Sequence, residues 1–298
     1  MSHGCVHGPV APGDANEVEG ARVPEGLTVI DAHVHLFPDK MFEAIWRWFD
    51  THAWNIRYRL HTEQVVEFLS QKGVHRFCAL HYAHKAGMAR SLNAYVAEVA
   101  RAHREIIPLG TVMPGEPDAR AIVREALGPL GLRGIKLHCH VQGMAADDPR
   151  IDDVYEVCAE VGRPVIIHAG RQPALPGYPV DVLTICNVER VERVLQRHPR
   201  LSLVIPHLGV DEYEGYESLL DRYENLWLDT TGVIGGAMGM LAPPPSLFPG
   251  KASRLLYGTD FPNIPYAWDR ELRGALGAGM KPEVQRAFFE GNALRLFE

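Results

Sequence analysis

Val29-Ile30-Asp31-Ala32-His33-Val34-His35-Leu36-Phe37-Pro38 is the stretch from which the rest of the chain is read. The β-branched run Thr28-Val29-Ile30 predicts a buried strand, and His33 and His35, at i and i+2, share one face of an extended backbone. Two imidazoles projecting together from a strand end make a two-pronged ligand for a divalent ion such as zinc, iron or nickel. His-x-His also arises by chance in a chain with 15 His, so its meaning depends on whether the pattern recurs.

Downstream the chain settles into an alternation of helix and strand. Thr62 is placed to cap a helix carrying Val65, Val66 and Leu69, which Gly73 ends before a strand over 74–80. Further strands are predicted over 106–112, 134–138, 164–168, 201–205, 225–229 and 254–258. Apolar helix faces fall between most of them: Leu92, Tyr95, Val96 and Val99; Ile122, Val123, Ala126 and Leu127 after Asp118; Ile151, Val154, Tyr155 and Cys158; Val188, Val191, Val194 and Leu195. A Pro-rich loop precedes the last strand, and Pro282 suits the first position of a closing helix.

Eight strands joined by crossovers in about 270 residues have the count and size of a single α/β (β/α)₈ TIM barrel, here residues 27–298. An open doubly wound sheet would want a glycine fingerprint after the first strand, where this chain has His-x-His. Gly232-Val233-Ile234-Gly235-Gly236-Ala237-Met238-Gly239 does not fit that fingerprint and reads as a flexible loop after strand seven. Residues 1–26, without hydrophobic periodicity, read as a flexible N-terminal arm. The aromatic run Met41–Phe49 reads as a helical insertion after strand one, packed or serving as a lid.

The 298 residues are 46% hydrophobic and carry a formal charge of −7 without a basic block, which argues against nucleic acid or an anionic membrane as partner. A soluble protein is expected, with a small molecule as its partner and homo-oligomerisation left open. The N-terminus lacks the basic start and apolar stretch of a signal peptide. Five cysteines, at 5, 78, 139, 158 and 186, form no C-x-x-C, as expected of reduced thiols in a cytoplasm.

The polar residues fall at one end of the predicted strands. His33 and His35 end strand one; Lys136, His138 and His140 end strand four; His168 ends strand five; His207 follows strand six and Asp260 strand eight. Carboxyl strand ends are where barrel active sites lie, so the joint pattern points to a metal site.

With Gly134-Ile135-Lys136-Leu137-His138, Ile167-His168-Ala169-Gly170, Pro206-His207-Leu208-Gly209, Gly258-Thr259-Asp260-Phe261-Pro262 and Asn292-Ala293-Leu294-Arg295-Leu296-Phe297, the chain resembles the amidohydrolase superfamily over roughly residues 28–298. Within it the resemblance is to the amidohydrolase-related branch that includes aminocarboxymuconate-semialdehyde and hydroxybenzoate decarboxylases. It implies one divalent metal, usually zinc, held by His33, His35, His168 and Asp260, with His207 as the acid/base partner of a metal-bound water. Such a ligand set leaves a position for water, whose pKa falls to about 7 on Zn²⁺. Asp260 can also take a proton from that water, which makes it catalytic as well as a ligand. Binuclear members carboxylate a strand-four lysine to bridge two metals; similarity to the mononuclear branch implies an unmodified Lys136 that holds substrate or orients a neighbour.

Substrate contacts are expected from Lys136, His138 and His140, from the His81-Tyr82-Ala83-His84-Lys85 loop, and from Arg57, Arg59 and Arg171, which together favour an anionic small molecule. The reading is a metal-dependent hydrolase of a small carboxylated ester, lactone or amide. A non-oxidative decarboxylase uses the same ligands and is the rival. A metal-binding barrel without catalysis is the third, against which the intact His207 and Asp260 speak.

Overall fold

The structure, a computed structural model, describes residues 16–20, 22–236, 243–244 and 247–298, the side chains of 248 and 249 excepted. The predicted strands are present as β1 (Ile30–His35), β2 (Arg76–Leu80), β3 (Ile106–Pro108), β4 (Gly110–Thr111), β5 (Ile135–His138), β6 (Val165–His168), β7 (Leu203–Ile205), β8 (Leu226–Asp229) and β9 (Leu255–Leu256). Each paired neighbour is parallel.

The expected third strand is split into β3 and β4. Pro108 has no N–H to give to a ladder, and the chain changes partners beside it. Leu109 N–H donates to Ala79 O on the β2 side at 3.2 Å, and Gly110 N–H to Gly134 O on the β5 side at 2.8 Å. The two pieces therefore fill one barrel position. Closure comes from β1 meeting the chain after β9: Ala32 N–H donates to Tyr257 O at 2.8 Å and His35 N–H to Phe261 O at 2.7 Å. The result is an eight-position barrel.

Alternation along the strands divides two cores. Ile135, Leu137, Val165 and Ile167 face the helices, whereas Ile166, with Ile30, Ala32, Leu80, Ile107, Val204, Trp227 and Leu256, fills the barrel interior. Ala293, Leu296 and Phe297 of the last helix, Asn292–Phe297, pack on this inner core and close it at one end. The opposite end is left to polar side chains. In β1 the pairing register against β2 shifts between Asp31 and Val34. That irregularity moves the inward positions from Ile30 and Ala32 to His33 and His35, a use of bulges common beside active sites.

The helix predicted over 41–49 spans Asp39–His52. The helix Thr62–Lys72 ends at Gly73, whose φ of 86° is the left-handed conformation that glycine supplies without a Cβ penalty. Its first turn departs from expectation: His61 occupies the cap, with Gln64 Oε1 accepting from His61 N–H at 3.0 Å. Thr62 lies inside the helix and donates its hydroxyl to Phe37 O at 3.1 Å. Of the N-terminal arm, residues 1–15 and 21 lie outside the described residues. The remainder is tied down rather than loose. Glu17 pairs with Arg270 and Arg273, and Tyr58 donates its hydroxyl to Glu19 at 2.7 Å. In the loop expected after β8, residues 231–236 wind in successive turns, and Gly235 N–H donates to the buried Glu271 at 3.1 Å. Positions 237–239 of that expectation lie outside the described residues. No described helix is long and apolar enough to cross a membrane.

Candidate metal centre

Asp31 fastens the two chain segments that carry the centre. Its Oδ1 accepts from His33 N–H at 3.0 Å and Thr259 N–H at 3.2 Å, and its Oδ2 from the Thr259 hydroxyl at 2.5 Å. Asp260 N–H then donates to His33 O at 2.9 Å. Burial raises Asp31 to about 7 in spite of these donors.

Three side chains converge there. His35 Nε2 lies 3.0 Å and His33 Nε2 3.5 Å from Asp260 Oδ1, and one ligand atom from each residue lies within 4.8 Å of the others. The outer nitrogens of the imidazoles are committed elsewhere. His33 Nδ1 is 2.8 Å from Asp229 Oδ2, and His35 Nδ1 is 3.3 Å from Leu80 O. These partners only accept, so each Nδ1 carries the hydrogen and each Nε2 presents a lone pair to the cluster. Burial, then Lys136, pushes His33 down to about 4, which keeps it neutral as a ligand must be. Burial works against ionised Asp260, but His35, His33 and His207 outweigh it and hold its carboxyl well below the usual range.

His168 and His207 stand beside this group. His168 Nε2 is 2.9 Å from Gln172 O and His207 Nδ1 is 2.9 Å from Thr231 O, again acceptors only. The inward nitrogens, His168 Nδ1 and His207 Nε2, face each other at 3.2 Å. In two neutral rings both would present lone pairs, so the gap is stable only when it holds a proton or a cation lies against it. Together with the neutral His33 and the ionised Asp260, this donor set fits a divalent ion: His33, His35 and Asp260 would hold it, and His168 Nδ1 is free to complete the shell. About one ion per chain is expected.

The backbone is unusual at the same place. His207 (φ 58°), Leu208 (φ 53°) and Asp260 (φ 64°) are the non-glycine residues with positive φ among those described. Such conformations persist where the surroundings over-determine them, and they gather at functional sites. Gly209, next in that turn at φ 70°, has no room for a side chain: a Cβ would meet the buried Tyr216 ring at 2.0 Å. Gly209→Ala is expected to destabilise the fold by about 2–4 kcal/mol, from overpacking plus backbone strain. Denaturant unfolding checks this, and a loss under about 0.5 kcal/mol would show that the turn is not held as described.

Asp229, which sequence reasoning passed over, positions the centre from behind. Its Oδ2 accepts from His33, and its Oδ1 from the N–H groups of His207 at 3.0 Å and Thr231 at 3.1 Å. Burial opposes the charge, yet His33 and these donors hold Asp229 at about 2. The signal was available, since Asp229 ends β8 as the histidines end their own strands. In Asp229→Asn the amide oxygen can keep the two backbone donors, but the amide NH₂ then confronts His33 Nδ1–H. His33 must change tautomer and lose its inward lone pair, so metal affinity should fall about 10–100-fold. Titration with a competing chelator measures it, and unchanged affinity would sever Asp229 from the centre.

Above the cluster lies a cavity of about 330 Å³. Its floor includes the five residues of the centre and Lys136; its walls include Ile45 and Trp48 of the helix Asp39–His52, together with Trp54, Tyr82, Tyr178 and Tyr266. Lys136 is fully buried and its Nζ has no hydrogen-bond partner among the described residues. Burial lowers it to about 8 against the opposing pull of Asp229 and Asp260. His138 also lines the cavity, stacked on His168 with ring centroids 4.2 Å apart, and His84 lies at its exposed edge.

Other expected substrate contacts are drawn away by local partners. His81 Nε2 is held by Asn93 Oδ1 at 3.2 Å and His140 Nε2 by Gly170 O at 2.8 Å, both behind the cavity wall. Arg57 donates to Glu17 O at 2.7 Å, Arg171 pairs with Asp211 at 3.1 Å, and Arg59 pairs with Asp50. None of these three guanidinium groups lines the cavity. The wall residues Trp54 and Tyr178 carried no signal of their own, because they come from loops far apart in sequence.

A parallel barrel with imidazoles and a carboxylate gathered at its carboxyl strand ends has the build of a metal-dependent barrel enzyme. The chain belongs to the amidohydrolase family, whose model matches residues 30–298. It is 31% identical over 137 residues, 41% of this chain, to a 2-amino-3-carboxymuconate-6-semialdehyde decarboxylase from Dictyostelium discoideum, of whose length the match spans 38%. Among solved structures it is similar to an uncharacterised TIM-barrel protein from Bordetella bronchiseptica, with a TM-score of 0.70, 24% identity, and 91% of this chain and 98% of that one covered. It is also similar to a 5-carboxyvanillate decarboxylase from Novosphingobium aromaticivorans, complexed with manganese and 4-hydroxy-3-methoxy-5-nitrobenzoic acid. There the TM-score is 0.65 at 18% identity, covering 93% of this chain and 98% of the other.

Proposed function

We propose that this protein is a metal-dependent, non-oxidative decarboxylase of a small, unsaturated carboxylic acid. The observation that carries the reading is His207 Nε2, which lies 3.2 Å from His168 Nδ1 at the floor of an aromatic-walled cavity and, standing outside the proposed ligand set, is left to carry a proton. Loss of CO₂ breaks a carbon–carbon bond and leaves its electron pair on the substrate carbon, which must then take up one proton. His207 is placed to deliver it from Nε2, while Thr231 O keeps the ring oriented through Nδ1–H. Trp48, Trp54 and Tyr178 exclude water and provide flat surfaces for an unsaturated system. The metal, when bound, supplies Lewis acidity and a fixed positive charge for the substrate's oxygens. Asp260 stays ionised, and Lys136 places a second positive charge at the floor, where a carboxylate would enter. The similarity to proteins named decarboxylases supports this reading over hydrolysis.

The test is to supply carboxyl-labelled aromatic and enolic acids to the zinc- or manganese-loaded protein in D₂O. Labelled CO₂ and one deuteron on the vacated carbon are expected. Cleavage of esters, lactones or amides to new acids, with no CO₂ from any carboxylic acid supplied, would return the protein to the hydrolases.

A further inference from the structure

Resting on the decarboxylase reading, a narrower substrate class follows from where the cavity keeps its charge. Lys136 is the one lysine or arginine among the described residues that line it, and the residues outside the description include neither type. Its ammonium is fully buried at the floor and unpartnered. The candidate metal ligands are at the floor as well. The walls offer only neutral groups, among them the hydroxyl-bearing rings of Tyr82 and Tyr178.

We infer that the cavity selects flat acids with a single carboxylate, their remaining polar substituents being uncharged, and that Lys136 anchors that carboxylate. One carboxylate at the floor meets the Lys136 ammonium. A second, carried by the same flat molecule, would rest on aromatic walls without a cation, and a buried carboxylate without a charged partner is strongly disfavoured. A neutral hydroxyl at that point instead meets the Tyr82 or Tyr178 hydroxyl and loses little. The three guanidinium groups that could have served a second carboxylate, those of Arg57, Arg59 and Arg171, are engaged with Glu17, Asp50 and Asp211 outside the cavity.

Two probes that differ in one substituent test this: 3-hydroxybenzoate and benzene-1,3-dicarboxylate, titrated by calorimetry into the metal-loaded protein. The hydroxy acid should bind at least tenfold more tightly. Lys136→Met should weaken it at least tenfold. His84→Arg, at the exposed edge, should narrow the gap between the two by giving the wall a cation. This second variant keeps the test informative if the buried substitution fails to fold. Equal or tighter binding of the dicarboxylate to the unaltered protein would overturn the inference, as would a Lys136→Met protein that binds the hydroxy acid unchanged. CO₂ release is followed separately. Selective binding of monocarboxylates with no CO₂ from any of them would sink the decarboxylase reading alone. CO₂ release that favours dicarboxylates would sink the monocarboxylate inference alone.

Discussion

Replacing His207 by asparagine is expected to lower turnover by about 10² to 10⁴ and to leave metal content near that of the parent protein. The two halves of this expectation have separate origins in the structure. His207 stands outside the cluster of His33, His35 and Asp260, so the ion can keep its ligands without it. Its Nε2, by contrast, is the nitrogen that faces His168 at 3.2 Å on the cavity floor, and asparagine has no group that gains and loses a proton there. The choice of asparagine is deliberate, because position 207 has a φ of 58° and asparagine tolerates the left-handed region better than alanine does. The N–H that Asp229 accepts from is also retained. Initial rates of CO₂ release and elemental analysis are measured on the same preparation. Loss of metal along with activity would make His207 a ligand. Unchanged turnover on an identified substrate would remove it from the mechanism.

The barrel was legible because parallel strands, buried on both faces, appear as short apolar runs between amphipathic helices. Each of the eight runs fell on an observed strand position, and the one split strand broke at Pro108, where the sequence itself carries the cause. The polar strand ends were legible for the same reason, since a charged or imidazole group closing an apolar run has few places to go except the barrel mouth. What was not legible depends on partners distant in sequence. The shift of register in β1 arises from its pairing with β2 and is invisible in Asp31–Val34 alone. Whether an arginine reaches the cavity depends on which carboxylate holds it, and Glu17, which takes Arg57 through its carbonyl oxygen, lies 40 residues away in the arm expected to be loose. Hydrolysis and decarboxylation shared every ligand, so the ligands could not divide them. The walls and the placing of His207 beside the ligand set bear on that choice, and both depend on segments far apart in sequence.

Asp260→Asn should cost the protein most of its metal and bring activity to background. Asp260 gives the cluster its negative charge, and one oxygen lies 3.0 Å from His35 Nε2 and 3.5 Å from His33 Nε2, the point at which an ion would replace both contacts. The amide keeps the shape and the left-handed backbone at φ 64°, so the change is confined to charge and donor strength. A carbonyl amide is a weak ligand for zinc beside a carboxylate, and two imidazoles with a flanking third do not neutralise a dication. Loss of more than nine-tenths of the bound ion after dialysis is therefore expected, with turnover in the proposed decarboxylation falling at least 10³-fold, since the Lewis acid is lost with the ion. Asp260→Ala separates charge from backbone: it should lose metal equally and be about 1 kcal/mol less stable than the asparagine variant, because alanine resists positive φ. Asp260 stays ionised far below neutral pH, so lowering the pH from 7 to 5 should not reproduce the asparagine phenotype through this residue. An Asp260→Asn protein that keeps a full equivalent of metal would place the ion on other ligands and undo the centre described above.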